Sequence, residues 1–154
     1  MLLLALCPPA LAGESDTGEA EPPPYKSIWV NAGMISHHFD RSKGFREGNI
    51  GIGAEVGLSE DNAIFAGGFR NSDDRHSNYL GWAWRPYQWG PVRLGLIGGV
   101  FNGYQRVNNG GWFPGVLPVA TIEYGNVGVN ILVLPTIGNK VYGATVFQFK
   151  LRLK

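Results

Sequence analysis

Two stretches of the sequence crowd together the groups that do acid–base and nucleophilic chemistry: Ser36-His37-His38-Phe39-Asp40 and Asn71-Ser72-Asp73-Asp74-Arg75-His76. A serine hydroxyl attacks well only when a neighbouring base takes its proton, and histidine does this near neutral pH. A carboxylate or amide then orients the imidazole. About 35 residues separate the two stretches, so no local motif joins a histidine to a serine. His37, His38, His76 and the aspartates could also ligate a cation. Adjacent histidines on an extended segment point in opposite directions, however, and are poorly placed to share one ion. No metal and no cofactor is expected, and Asp73 and Asp74 read as a solvated loop.

The elements that must position these groups are strands. No stretch shows apolar spacing of three and four over a helix length, whereas period-two alternation recurs. Over 49–58, Ile50, Ile52, Ala54, Val56 and Leu58 share one face, opposite Asn49, Gly51, Gly53, Glu55 and Gly57. Leu80, Trp82 and Trp84 alternate with Tyr79, Gly81, Ala83 and Arg85. Val141, Phe147, Phe149, Leu151 and Leu153 likewise oppose Gln148, Lys150 and Arg152. The pattern predicts eight strands, at 27–36, 48–58, 62–71, 77–86, 91–103, 116–124, 126–134 and 141–153. Short links near 59–61, 87–90 and 125 alternate with mostly longer ones. An even strand number with this alternation predicts an all-β, eight-stranded antiparallel transmembrane β-barrel, closed so that no edge meets lipid.

The bulky apolar face is read as lipid-facing and the glycine-rich face as lining a narrow lumen. Trp29, Trp84, Trp89 and Trp112 fall near strand ends, where an aromatic girdle would sit. A soluble barrel of lipocalin type is the alternative, since it would turn its apolar side chains inward. Glu55, Arg93 and Glu123 are inward charges that, if they meet, would plug the lower lumen and leave its upper half free. With both chain ends on the periplasmic side, strands 1 and 3 end on the outer rim, which brings Ser36, His37, His38 and Asp40 near Asn71, Ser72, Asp73 and Asp74.

Composition agrees. Among 154 residues, 23 are glycine, 12 % are aromatic and only 16 % are charged, against about 25 % in soluble domains. All 13 Lys and Arg lie beyond residue 25, and four of the 12 acidic residues lie before it; the resulting positive excess is too mild to indicate nucleic acid. Residues 1–12 read as a secretory signal peptide, with an apolar run and Ala10-Leu11-Ala12 as a small-x-small cleavage pattern. The run is too short to cross a membrane as a helix, and it holds Cys7, the one cysteine of the sequence. Residues 13–24, GESDTGEAEPPP, read as an acidic, proline-rich flexible segment. Residues 25–154 make the barrel.

The sequence resembles the lipid A palmitoyltransferases (PagP) of Gram-negative outer membranes, from Ile35 to about Phe149. The likeness is most specific in PGVLPVATIEYGNV (114–127) and NILVLP (130–135). It extends to Trp84-Arg85-Pro86, to the glycine-rich strand from Leu94 to Val100, to Ile35-Ser36-His37-His38 and to Phe69-Arg70-Asn71-Ser72. It implies a monomeric outer-membrane barrel that moves an acyl chain, palmitate in the family, from a phospholipid donor to a lipid A acceptor. His38 and Ser72 then map to the catalytic histidine and serine, and Asn71 stands where the family has aspartate. Prolines 114, 118 and 135 would interrupt strand pairing, as breaks in the family do to admit lipid sideways. The acidic segment stands where the family has an amphipathic helix, and the chain ends on Arg152-Leu153-Lys154 without the usual terminal aromatic residue. The competing expectation is a non-catalytic small outer-membrane barrel with a structural, adhesion or interaction role.

Overall fold

The computed structural model describes residues 26–154, so the signal-peptide and acidic-segment expectations for 1–12 and 13–24 lie outside the described residues. The strands are β1 (Ser27–His38), β2 (Gly48–Gly57), β3 (Asn62–Arg70), β4 (His76–Trp89), β5 (Val92–Phe101), β6 (Phe113–Tyr124), β7 (Val127–Leu134) and β8 (Ala144–Arg152). Each pairs antiparallel with its sequence neighbour, and β1 pairs with β8 to close the barrel. The long connections 39–47, 71–75, 102–112 and 135–143 gather at one end, called upper below. Both chain ends and the short turns share the lower end.

Most strand limits fall within two residues of expectation, and the larger departures are in β4, β6 and β8. β4 does not stop at Pro86. Its register with β5 slips between Trp84 and Tyr87, and this irregularity absorbs the residue that cannot donate to the ladder. β6 begins earlier, at Phe113, because Pro114 still aligns with Val100 of β5. β8 begins only at Ala144: Val141 bridges back to Ile137 in the preceding loop and lines the lumen instead of sharing the outer face of β8.

The alternation decides which face meets which solvent. Ile50, Ile52, Leu80, Trp82, Trp84, Leu94, Leu96, Val116, Phe149 and Leu151 are all exposed on the outside. A continuous apolar exterior of this kind suits hydrocarbon rather than water, which removes the soluble-barrel alternative. Trp84, Trp89 and Trp112 are exposed near strand ends, joined by Tyr87 and Tyr124. Trp29 is not part of this girdle. Its position in β1 has inward parity, its ring is buried, and the Lys150 and Arg152 cations lie 4.4 and 4.5 Å from its centroid.

The lower lumen is filled by charge. Lys150 Nζ donates to Glu55 Oε1 at 3.0 Å and to Glu123 Oε1 at 2.6 Å, and Arg85 donates to Glu55 Oε1 at 2.7 Å. Asn130 links Glu55 to Thr121 and Gln148. Glu55 and Glu123 therefore meet as expected, through Lys150. Arg93 joins Glu60 and Asp61 at the β2–β3 turn, and Arg85 takes the place expected of it. Buried ions are tolerable only when each has partners. Replacing Lys150 by methionine leaves Glu55 with Arg85 alone and Glu123 with only the longer 3.6 Å contact to Arg152, and the expected loss is about 3–5 kcal/mol. Urea unfolding in micelles measures it; a loss below about 1 kcal/mol would show that the plug contributes little to stability.

Candidate functional site

A bulge selects the histidine. Strict alternation from Trp29 through Asn31 would turn His37 inward. Between Ala32 and Met34 the register of β1 shifts against β2, at Gly33, whose φ of 72° is left-handed and easily reached only without a Cβ. Parity inverts there. Met34, Ser36 and His38 line the lumen, whereas His37 points outward and lies 3.7 Å from Glu47. His38 is 7 % exposed. Its ring stacks on Phe45 with centroids 4.7 Å apart, and its Nδ1 is buried with no hydrogen-bond partner among the described residues.

Above the charge plug the lumen is apolar and partly empty, with a cavity of about 420 Å³, within the usual range of ligand pockets. Phe65, Tyr79, Ala83, Ile97 and Val119 form the packed part of its wall. Tyr79 lies flat across Gly53 and Gly67, where any Cβ would collide with its hydroxyl. That hydroxyl accepts a hydrogen bond from Gln148 across the lumen at 3.2 Å, so Tyr79 and Gln148 make a shelf between the apolar and charged halves. The wall is incomplete on one side. β6 pairs with β7 only from Val119 opposite Leu132 down to Tyr124 opposite Val127. Above that, Phe113–Pro118 is hydrogen-bonded to β5 alone, and Pro118 has no N–H to extend the ladder.

His38 and Ser72 both line this cavity. No hydrogen bond joins them among the described residues, and catalytic hydrogen bonds are often loose before substrate binds. Asn71 is different. Fully buried, it donates through Nδ2 to Ser77 Oγ at 2.9 Å and to the Gly103 carbonyl at 3.0 Å. Its Oδ1 accepts from the backbone N–H groups of Asp73 and Arg75, both at 3.0 Å. Its oxygen is committed to the β3–β4 turn, an Asx-type arrangement, and its amide N–H groups to β4 and the 102–112 connection, so none of it reaches His38.

Asp73 and Asp74, expected together in a solvated loop, separate. Asp74 is exposed, and hydrogen bonds from Arg70 and Arg46 hold its carboxyl below the usual range. Asp73 turns to the cavity, with its carboxylate 3.5 Å from Arg106. The Arg106 guanidinium also lies over the rings of Phe45 and Tyr142, at 5.5 and 5.1 Å, so one side chain gathers all four upper loops above His38 and Ser72. Beside it, burial pushes the Tyr104 phenol well up from its ordinary value, so Tyr104 stays a neutral hydroxyl. Arg106, Tyr104 and Tyr142 carry no signal in the sequence, because irregular loops have no period from which to read a face.

No family model matches the chain, and no curated protein matches it. Solved structures do. One, from the de novo design of transmembrane β-barrels, superposes with a TM-score of 0.59 at 9 % identity, covering 82 % of this chain and 96 % of that one. The solution NMR structure of the de novo designed TMB2.3 gives 0.57 at 14 % identity, covering 86 % and 98 %. At such identities the likeness concerns the fold alone: a closed, eight-stranded antiparallel barrel of the transmembrane kind.

The geometry makes a specific forecast for Asn71→Asp. Aspartate has no N–H for the Gly103 carbonyl and sets a buried charge against it, so the variant is expected to lose about 1–3 kcal/mol of stability. Denaturant titration of the two forms side by side checks this; equal midpoints would refute the turn role.

Proposed function

We propose that this chain is an outer-membrane acyltransferase of the lipid A palmitoyltransferase type, moving an acyl chain from a phospholipid to lipid A. One observation carries the reading: an apolar cavity in the upper lumen, with His38 and Ser72 on its wall and a gap in strand pairing beside it. An acyl chain fits such a space because it needs apolar walls and no hydrogen bonds, and the plug beneath gives it a floor. The unpaired stretch above Val119 gives a lipid a route from the bilayer without leaving hydrocarbon.

In this reading His38 takes the proton of the Ser72 hydroxyl as its oxygen attacks the ester carbonyl of the donor. The ester C–O bond breaks, the lysophospholipid leaves with the proton that His38 returns, and the acyl group remains on Ser72. A hydroxyl of the acceptor then gives its proton to His38 and attacks that ester. The acyl chain passes to the acceptor, and the returned proton restores Ser72. The signal peptide at 1–12, the acidic segment at 13–24 and a monomeric barrel from 25 onward belong to the same proposal.

A non-catalytic outer-membrane barrel is the second reading, favoured by one observation: the Asn71 amide is consumed by its own turn, β4 and the 102–112 connection and cannot orient His38. Mass spectrometry of lipid A from cells expressing the parent, Ser72→Ala and His38→Ala decides between them. An added acyl chain is expected with the parent and a loss of at least about a hundredfold in each variant. Folded parent protein in the outer membrane with unmodified lipid A would sink the enzymatic reading.

A further inference from the structure

The site described so far has a base and a nucleophile but no group on the far ring nitrogen of the base. His38 Nδ1 is buried without a partner among the described residues, and a buried unpaired ring nitrogen in a pocket calls for one. His37, Glu47 and Asp73 act on this imidazole through space, and Arg106 lies over the Phe45 ring on which it stacks. His37 faces out of the barrel. Glu47 acts on His38 through space, but it lies 3.7 Å from His37 and 3.6 Å from Arg41 and is not part of the cavity wall. Arg106 is a cation and cannot accept a hydrogen bond. Asp73 remains. It lines the same cavity as His38 and Ser72, its side chain is 20 % exposed, and its charge acts on the imidazole through space.

The turn explains how it gets there. Asn71 Oδ1 holds the Asp73 N–H at 3.0 Å, fixing the backbone that carries the carboxylate, and the 3.5 Å contact with Arg106 is long enough to be exchanged for a better one. We propose that Asp73 is the positioning carboxylate of this site, presenting to His38 the charge that Asn71 lacks, while Asn71 builds the turn that delivers it. This rests on the acyltransferase reading. A carboxylate on the imidazole fixes its tautomer and stabilises the imidazolium formed as Ser72 gives up its proton.

The test uses the full chain refolded in micelles, with phosphatidylcholine as donor, lipid A as acceptor, and the parent, Asp73→Asn, Asp73→Glu and Asp74→Asn forms compared. Circular dichroism first confirms equal strand content. Asp73→Asn is expected to lower kcat by about 10²–10⁴-fold with KM little changed. Asp73→Glu should recover at least about tenfold of that loss, and Asp74→Asn should stay within about threefold of the parent. In parallel, NMR of the imidazole signals follows the titration of His38, which Asp73→Asn should displace and Asp74→Asn should leave in place. Parent-like kcat in Asp73→Asn, or an unmoved His38 titration, overturns the proposal. If the parent transfers no acyl chain, the acyltransferase reading falls, and the titration alone decides whether Asp73 and His38 are coupled.

Discussion

Closure of the sheet is the constraint on which the rest depends. A barrel in hydrocarbon must pair its backbone groups within itself, and eight strands do so around a lumen only wide enough for side chains. Whatever faces inward must therefore be mutually satisfied in a narrow space. The lower half meets this demand with Glu55, Lys150, Arg85, Glu123 and Asn130, each holding another. Because the buried charges are paired with one another there, the upper half is free to be apolar and only partly filled. Tyr79 marks the border, and it fits because Gly53 and Gly67 leave the wall thin beneath its ring.

The same closure fixes the site through small departures from regularity. Gly33 adds one residue to β1 and so chooses between two adjacent histidines. Asn71 tightens the β3–β4 turn until Asp73 faces inward and Asp74 outward. Pro118 ends the β6–β7 ladder and leaves a gap beside the cavity. Each device acts through the backbone, and each redirects a side chain or an opening by the alternation of strand geometry.

Much of this was legible in the residues. The period-two pattern in 49–58 located β2 and assigned both of its faces, because the difference between Ile and Gly on opposite sides of one strand is large. The eight strands and their alternating connections followed for the same reason. Trp29 was misread because a tryptophan near a strand end suits a girdle and a lumen equally, and only its parity with Asn31 separates the two. Arg93 was misread similarly: inward parity placed it correctly, but its distance along the barrel from Glu55 depends on a register that no single strand contains. For the site, the convergence of the histidine pair with the stretch around Ser72 followed from the up-and-down order of strands. The use of Asn71 did not, because an asparagine before a serine gives no sign of which backbone groups its amide will find.

Sequence alone determined the architecture: alternation sets which side chains leave each face of a strand, and lipid outside with a narrow lumen inside leaves one closed arrangement for eight such strands. Tertiary structure decided the chemistry. Which histidine points in, which aspartate reaches the cavity and which arginine neutralises Glu55 all depend on bulges, turn hydrogen bonds and inter-strand register, and these arise from contacts between segments far apart in the chain. A one-residue shift at Gly33 reverses every face beyond it, so the identity of the residues around the cavity is fixed only once the strands have paired.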